Sequence, residues 1–400
     1  MKDKTGILLV LICSIGFIVR ALFSVWLGSE LRFPDEIRFW AEINNLLENG
    51  SFVVMGKYAH DMPMTALVAA GVIKITGCGV IGVRIFFSFV SACTIFLIAN
   101  IAGLFSEKDS AKILAAIIAA FYPFFIFYSA LILSETLFLF AITSYFYFLF
   151  CSHKNAHIFA GGMSGVCHLI RPTLLYFFPV VWCWQLFVQR VRLKYVFLSI
   201  LCLALLIVPW GVRNATVLGQ FVLGTSGTGQ VLWEGNNPSN YSGGTSGDFQ
   251  DEKAYLKNMP SGLNELERDQ WKKQNALRYI KENPKRFAEM CWKKFIRFWH
   301  LWPNHSIYSG TLYKWLSLLS FGPVLLFSVI AFWVLRAHRA KLVLIALFVG
   351  YYTAIHIITI GSIRYRLPLE PLLISLSAAS FMEIFSIKQR DISTNQNRRR

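Results

Sequence analysis

Apolar runs long enough to cross a hydrocarbon core of roughly 30 Å recur from one end of this chain to the other, which leaves a bilayer as the solvent in which it folds. The composition agrees: 55% of the 400 residues are apolar and 15% are charged. The first run, from Gly6 to Leu27, is longer than the apolar stretch of a signal peptide. Leu27-Gly28-Ser29-Glu30 is also a poor cleavage site, so a retained anchor is expected.

The net charge of +17 sits mostly in short loops between apolar runs. That is the pattern of loops kept in the cytoplasm rather than of a groove for nucleic acid, which is excluded as a partner. With the Lys2 and Lys4 end inside, ten spans are expected, at 6 to 27, 80 to 105, 111 to 129, 132 to 150, two short spans within 157 to 188 broken at Arg171-Pro172, 195 to 210, 311 to 335, 342 to 360 and 367 to 386. The organisation predicted is an N-terminal transmembrane catalytic module over 1–210 with a first external loop at 28–79. It continues with an external loop at 211–310, C-terminal spans over 311–386 and a basic cytoplasmic tail at 387–400. Residues 63–76 are too short to cross comfortably and are placed as a juxtamembrane helix.

In the first external loop, Ile37, Trp40, Ile43, Leu46 and Leu47 share one helical face, and Asn49-Gly50 stops that helix. In the larger loop, Gly224 to Gly247 reads as irregular, and 262 to 300 as two amphipathic helices separated near Pro284. Five cysteines fall in predicted spans and serve packing, whereas Cys78 and Cys291 are placed to pair in an oxidising compartment. Asn-x-Ser/Thr triplets start at Asn49, Asn214, Asn240 and Asn304, and matter only in a lumenal setting.

Under this topology Asp35, Glu36, His60, Asp61, Arg84, Glu135, Arg171, Arg364 and Arg366 share the outer face. Acids gathered with arginines suit transfer of a group from a phosphate leaving group. A carboxylate takes the proton of an incoming hydroxyl and guanidiniums hold the departing phosphate. Each has a plainer reading: Arg84 and Arg171 as snorkelling cations, Glu135 as a helix cap behind Ser134, His60 as a structural histidine. Asp35-Glu36 resists that reading, because a helix start needs at most one acid. No His/Cys/Asp/Glu cluster has zinc spacing.

These residues, in order, resemble a family. Pro34-Asp35-Glu36 followed by Phe39-Trp40-Ala41-Glu42 and Asn49-Gly50 is similar to the first external loop of the GT-C membrane glycosyltransferases. The similarity is to their dolichyl-phosphate-mannose protein mannosyltransferase and aminoarabinose transferase group. Met62-Pro63-Met64, Ser134-Glu135 and Leu169-Ile170-Arg171-Pro172 continue the resemblance, as do Pro209-Trp210-Gly211-Val212-Arg213-Asn214 and Trp233-Glu234-Gly235-Asn236-Asn237-Pro238. Glu267-Arg268-Asp269, Tyr279-Ile280-Lys281-Glu282-Asn283-Pro284 and Arg364-Tyr365-Arg366-Leu367-Pro368 complete it in the style of bacterial members. Order and placement, not any single motif, carry the match. The chain has one proline in Met62-Pro63-Met64 where many relatives have two, and it lacks the C-terminal external domain of some relatives.

The resemblance implies an all-α GT-C bundle in the bacterial cytoplasmic membrane. Its expected activity is inverting transfer of one sugar from a polyprenyl-phosphate donor to a lipid, glycan or protein hydroxyl outside the cytoplasm. It implies Asp35 as general base aided by Glu36, Glu135 as the second-loop acid, and Arg84, Arg171, Arg364 and Arg366 as donor-phosphate ligands. His60, Asp61, Asn236 and Asn237 are implied as acceptor or donor contacts. No cofactor is expected to be required; if a divalent cation takes part, Asp35, Asp61 and Glu135 are the oxygen donors. The competing readings are a secondary transporter and a non-enzymatic polyprenyl-lipid-binding protein. A transporter calls for midspan charges and matching halves, which this sequence does not show.

Overall fold

The structure, a computed structural model, describes residues 2–153, 155–244, 258–303 and 310–398, without the side chains of 2, 3 and 387–398. The Asn304 triplet, the end of the Gly224 to Gly247 stretch and the last two tail residues lie outside the described residues. The described residues are almost wholly helical and contain no β-strand.

Helix α1 (Lys2–Leu27) is followed by α2 (Pro34–Asn49), α3 (Pro63–Thr76), α4 (Val80–Gly103), α5 (Asp109–Ala120), α6 (Pro123–Ser129), α7 (Ser134–Phe150), α8 (Ala156–Ile170) and α9 (Phe178–Phe187). Then come α10 (Leu193–Leu218), α11 (Thr228–Gly235), α12 (Glu265–Glu282), α13 (Pro284–Trp299), α14 (Thr311–Val334), α15 (Arg339–Ile358), the single turn α16 (Ile363–Arg366) and α17 (Glu370–Arg398). Among the described residues six helices are long and apolar enough to cross a membrane, so this is a multi-pass membrane protein. α7, α8 and α9 are apolar but shorter. α7 is buried along nearly its whole length, packed between α4 and α8, which removes it from lipid and from the length that lipid contact demands.

The span expected at 111 to 129 is broken. α5 and α6 meet at a 53° bend, because Pro123 has no N–H and pushes the residue before it out of the helix. The carbonyls left over at the break are met by Arg20, a fully buried cation of α1, whose guanidinium donates to Ala119 O at 2.8 Å and Ala120 O at 2.7 Å. Arg20 also donates to Ser91 Oγ and Gly16 O, so this charge within a span, which departs from the expected absence of midspan charges, is a structural tie. The helix expected at 195 to 210 runs on to Leu218, and α17 is preceded by the short turn α16 rather than by loop.

α2 is rotated from the expected face. It buries Glu36, Phe39, Glu42 and Ile43, while Ile37 and Leu47 remain exposed. The reason is that its carboxylates find partners inside, described below. Gly50 ends the helix with φ 65°, the left-handed conformation glycine adopts without a Cβ penalty. The two helices expected around Pro284 form as α12 and α13, and the first is fixed by a capping box between Asn264 and Glu267. The packed stripe of α13 is Met290, Lys294 and Phe298. Cys78 and Cys291 are both free thiols, which corrects the expected pairing. Asn214 and Asn240 are buried, with their side-chain amides donating to backbone carbonyls, so neither triplet is open to modification.

Candidate functional site

Six side chains from five places in the sequence form one line of alternating charge at one end of the bundle. Asp61 accepts from Arg38 Nε at 2.8 Å, and Arg38 Nη1 reaches Asp35 Oδ1 at 2.6 Å. Arg364 Nη1 meets Asp35 Oδ2 at 2.6 Å, and its Nε donates to Glu135 Oε1. Arg171 Nη2 meets the same Glu135 oxygen at 2.7 Å, and its Nε donates to Ser134 Oγ at 2.9 Å. Exposure is greatest at the middle of the line, 33% at Asp35 and 27% at Arg364, and smallest at Glu135, at 1%. Asp35 is therefore the most exposed member and Glu135 the most enclosed, and Glu135 Oε2 has no hydrogen-bond partner.

Local structure decides which residues join the line. Asp35 and Glu36 are consecutive on α2, so they project about 100° apart. Asp35 is partly exposed, and Glu36 is fully buried, accepting from Arg84 Nη2 at 3.0 Å, Ile132 N at 3.1 Å and Arg32 N at 3.1 Å. Arg84, also fully buried, holds Glu36 and the carbonyls of Gly28 and Glu30. The expected catalytic role of Glu36 and phosphate role of Arg84 are corrected by this placement: together they fasten the start of α2 to α4 and to the turn before α7. Burial makes the pair costly to break, because removing one charge strands the other.

The same geometry separates the C-terminal arginines. Arg364 and Arg366 are two residues apart on one helical turn and point to opposite sides. Arg366 is fully buried, with Nε 2.8 Å from Glu370 Oε1, Nη1 2.7 Å from His300 O, and its guanidinium carbon 3.4 Å from the Phe321 ring centre. It is removed from the expected phosphate site. Tyr365 lies between the two, stacked on His356 with ring centres 4.7 Å apart.

The expected contacts of Asn236 and Asn237 are also corrected. Asn236 is buried and donates to Leu232 O and Ile358 O, while Asn237 donates to Trp233 O and Glu234 O at the end of α11. Asn236 Oδ1 accepts from Lys294 Nζ at 3.0 Å, and Lys294 also donates to Ile358 O. Burial pushes the Lys294 amine down to about 8. Close packing completes the brace: a Cβ at Gly361 would lie 2.4 Å from Lys294 O, so glycine is required there. These residues hold the segment before α16 and thereby position Arg364. His60 lies at the rim, with Nδ1 3.5 Å from Lys57 Nζ, beside the Asp61 that pairs with Arg38.

Two functional candidates escaped the sequence reading, Arg38 and Glu42. Arg38 had a signal, since it lies three residues after Asp35 on the same helix. Burial raises the Asp35 pKa, but Arg364 and then Arg38 outweigh it and hold the carboxyl at about 2. Glu42 is 2% exposed, its Oε2 has no hydrogen-bond partner, and burial with nearby Asp61 pushes its carboxyl from 4.5 to about 8. Between about pH 4.5 and 8 the folded state keeps a proton that the unfolded state has released, so stability falls as pH rises through that window. Glu42→Gln should therefore raise the melting temperature above wild type at pH 8, by a stabilisation on the order of a few kcal/mol, and leave it unchanged at pH 4. Thermal unfolding in detergent at the two pH values checks this, and equal melting temperatures at pH 8 would refute it.

Among the described residues no group of three His, Cys, Asp or Glu side chains converges as a metal site. Asp35, Asp61 and Glu135 are held apart by the intervening guanidiniums, so the expected oxygen-donor set does not fit a divalent cation in this arrangement.

No protein-family model matches the chain, and no curated protein matches it by sequence. Solved structures do match. AglB, an archaeal oligosaccharyltransferase from Archaeoglobus fulgidus in complex with an inhibitory peptide and a dolichol-phosphate, aligns over 99% of this chain with TM-score 0.58 and 12% identity. ArnT from Cupriavidus metallidurans in the apo state aligns over 95% with TM-score 0.54 and 12% identity. Both are GT-C proteins. The chain has the GT-C fold. An Archaeoglobus fulgidus oligosaccharyltransferase in complex with Zn and sulfate aligns over 97% with TM-score 0.58 and 13% identity. The chain spans 59% of the length of the ArnT chain and 52% of that of the AglB chain. The charged line draws on α2, the α3 approach, α7, the α8 end and α16.

Proposed function

We propose that this protein is an inverting glycosyltransferase that moves a single sugar from a polyprenyl-phosphate donor to a lipid, glycan or protein hydroxyl. The active site faces the outside of the bacterial cytoplasmic membrane, on the same side as α11, α12 and α13. The observation that carries the reading is the Asp35–Arg364–Glu135–Arg171 line, a partly exposed carboxylate followed by two guanidiniums around a buried acid, within a GT-C fold. Dolichol-phosphate in the AglB complex is the same class of ligand as the proposed donor.

The chemistry follows from competition for the arginines. A lipid phosphate that takes hydrogen bonds from Arg171 and Arg364 draws Arg364 away from Asp35. Asp35 then loses one of the two cations that depress its pKa and becomes the stronger base. The acceptor O–H gives its proton to Asp35 and its oxygen bonds to the anomeric carbon. The anomeric C–O bond to phosphate breaks on the opposite face, which inverts the centre. The departing polyprenyl phosphate keeps the bond electrons, and its charge is stabilised by the two guanidiniums. Donor binding thus prepares the base.

The test is mass analysis of envelope glycolipids and glycoproteins from cells carrying wild type or Asp35→Asn. One species heavier by a single sugar should be present with wild type and absent with the variant. Identical profiles would sink the proposal, whereas the difference would name sugar and acceptor together.

A further inference from the structure

The chain reverses direction between α14 and α15 through a basic turn, Arg336-Ala337-His338-Arg339-Ala340-Lys341. The turn lies at the end of α15 away from the charged line, since the 20 residues Arg339–Ile358 carry the chain roughly 30 Å before α16 begins. Side chains three apart on a helical turn share a face, so the four basic residues divide into two pairs. His338 and Lys341 turn inward. His338 packs edge-on against Phe105 with ring centres 5.6 Å apart, and Lys341 Nζ donates to Leu104 O at 3.1 Å and stands over the Phe105 and Phe150 rings. Trp184 Nε1 adds a hydrogen bond of 2.9 Å to Ala340 O, which closes that side of the turn.

Arg336 and Arg339 are left on the outer side. Both are exposed, and among the described residues neither is paired with an acid. Glu383, on α17 beside His338, is already engaged by Lys108 Nζ at 2.8 Å and Ser106 Oγ at 2.6 Å. From the two arginines a groove of about 330 Å³ runs between the helices, walled by Phe332, Val343, Ala346 and Leu347. The groove has a cause in the packing: α14 lies against α17 whereas α15 lies against α13, so the two helices part from each other beyond the turn. All four wall residues are exposed, and Leu347 stands roughly 12 Å along α15 from Arg339. Apolar walls at membrane depth that end in two unpaired cations match one kind of molecule, a lipid with an anionic headgroup.

We propose that this groove binds one anionic phospholipid, with its phosphate between Arg336 and Arg339 and an acyl chain along Phe332, Val343, Ala346 and Leu347. The site lies at the opposite end of the bundle from the charged line and does not depend on the glycosyl-transfer reading. Each guanidinium can give paired N–H donors to a phosphodiester. A zwitterionic headgroup offers the same phosphate but brings its own cation against two guanidiniums, with Glu383 occupied elsewhere. Phosphatidylglycerol is therefore preferred to phosphatidylcholine.

The test incubates the full chain, purified in neutral detergent, with equimolar phosphatidylglycerol and phosphatidylcholine and counts the lipids retained by native mass spectrometry. Wild type should keep one phosphatidylglycerol in roughly tenfold or greater excess over phosphatidylcholine. Arg336→Gln with Arg339→Gln should bring the two lipids to equal retention. Ala346→Trp, which fills the groove and leaves both charges in place, should lower phosphatidylglycerol retention at least fivefold. The control removes two arginines from the turn between α9 and α10, Arg190→Gln with Arg192→Gln, and should keep the wild-type preference. Equal retention of the two lipids by wild type would overturn the proposal, as would an unchanged preference in the Arg336/Arg339 variant. An unaffected Ala346→Trp protein would show attraction to charge without a seat for the lipid, and an equal loss in the control would show attraction by basic turns in general; either result rejects the site.

Discussion

Asp35→Asn is expected to lower turnover by about 10²–10⁴-fold and to leave donor affinity within a few-fold of wild type. The substitution keeps shape and removes only the charge that accepts the proton. The rest of the line stays assembled, because Arg364 still has Glu135 and Arg38 still has Asp61. A loss of donor affinity equal to the loss of turnover would mean that Asp35 positions the arginines instead of acting as base, and unchanged turnover would remove it from the chemistry. The acid limb of the rate profile separates these further. In kcat/KM the limb reports the ligand-free protein, where Asp35 is held at about 2. A depressed carboxyl keeps its charged form as pH falls until that value is approached, so wild type should retain nearly full kcat/KM at pH 4. An ordinary aspartate of about 3.9 would have lost roughly half.

Arg171→Ala and Arg366→Ala should fail in different ways, although the sequence presents them as equivalent. Arg171 is 13% exposed beside Glu135 and Ser134, at the site of the proposed phosphate. Losing such a charged hydrogen-bond donor typically costs about 2–5 kcal/mol of binding, hence a rise of roughly 30-fold to several thousand-fold in the Kd for undecaprenyl phosphate. Arg366 is fully buried and its loss strands Glu370, which is expected to cost about 3–5 kcal/mol of stability. Molecules of Arg366→Ala that remain folded should bind undecaprenyl phosphate as wild type does. Thermal unfolding and lipid binding measured on both variants check this. A stable Arg366→Ala protein with weakened donor binding would return Arg366 to the site.

The sequence gathers these charges at one end of the chain's fold and does not say which of them meet. Asp35, Glu135, Arg171 and Arg364 do meet, along with Asp61. Glu36, Arg84, Arg366, Asn236 and Asn237 hold the parts in place, each through buried partners. The difference is one of direction. A charged residue near a membrane boundary reads alike whether it faces the opening or an interior partner. Arg364 and Arg366 read alike in the sequence, because only the helical turn at 363–366 sends positions two apart to opposite sides. Glu42 was invisible for a related reason: the apolar residues of α2 marked a different buried face from the one its acids select.

By itself the sequence determined an all-helical membrane bundle, its helix stops at Gly50 and Pro284, and a gathering of acids and arginines at one end, since hydropathy, turn residues and charge are local quantities. Only the tertiary structure decided which of those charges pair in the interior and which remain at the opening. That choice depends on the rotation of each helix about its axis, and rotation is settled by partners distant in the chain, as Arg84 settles Glu36 across 48 positions.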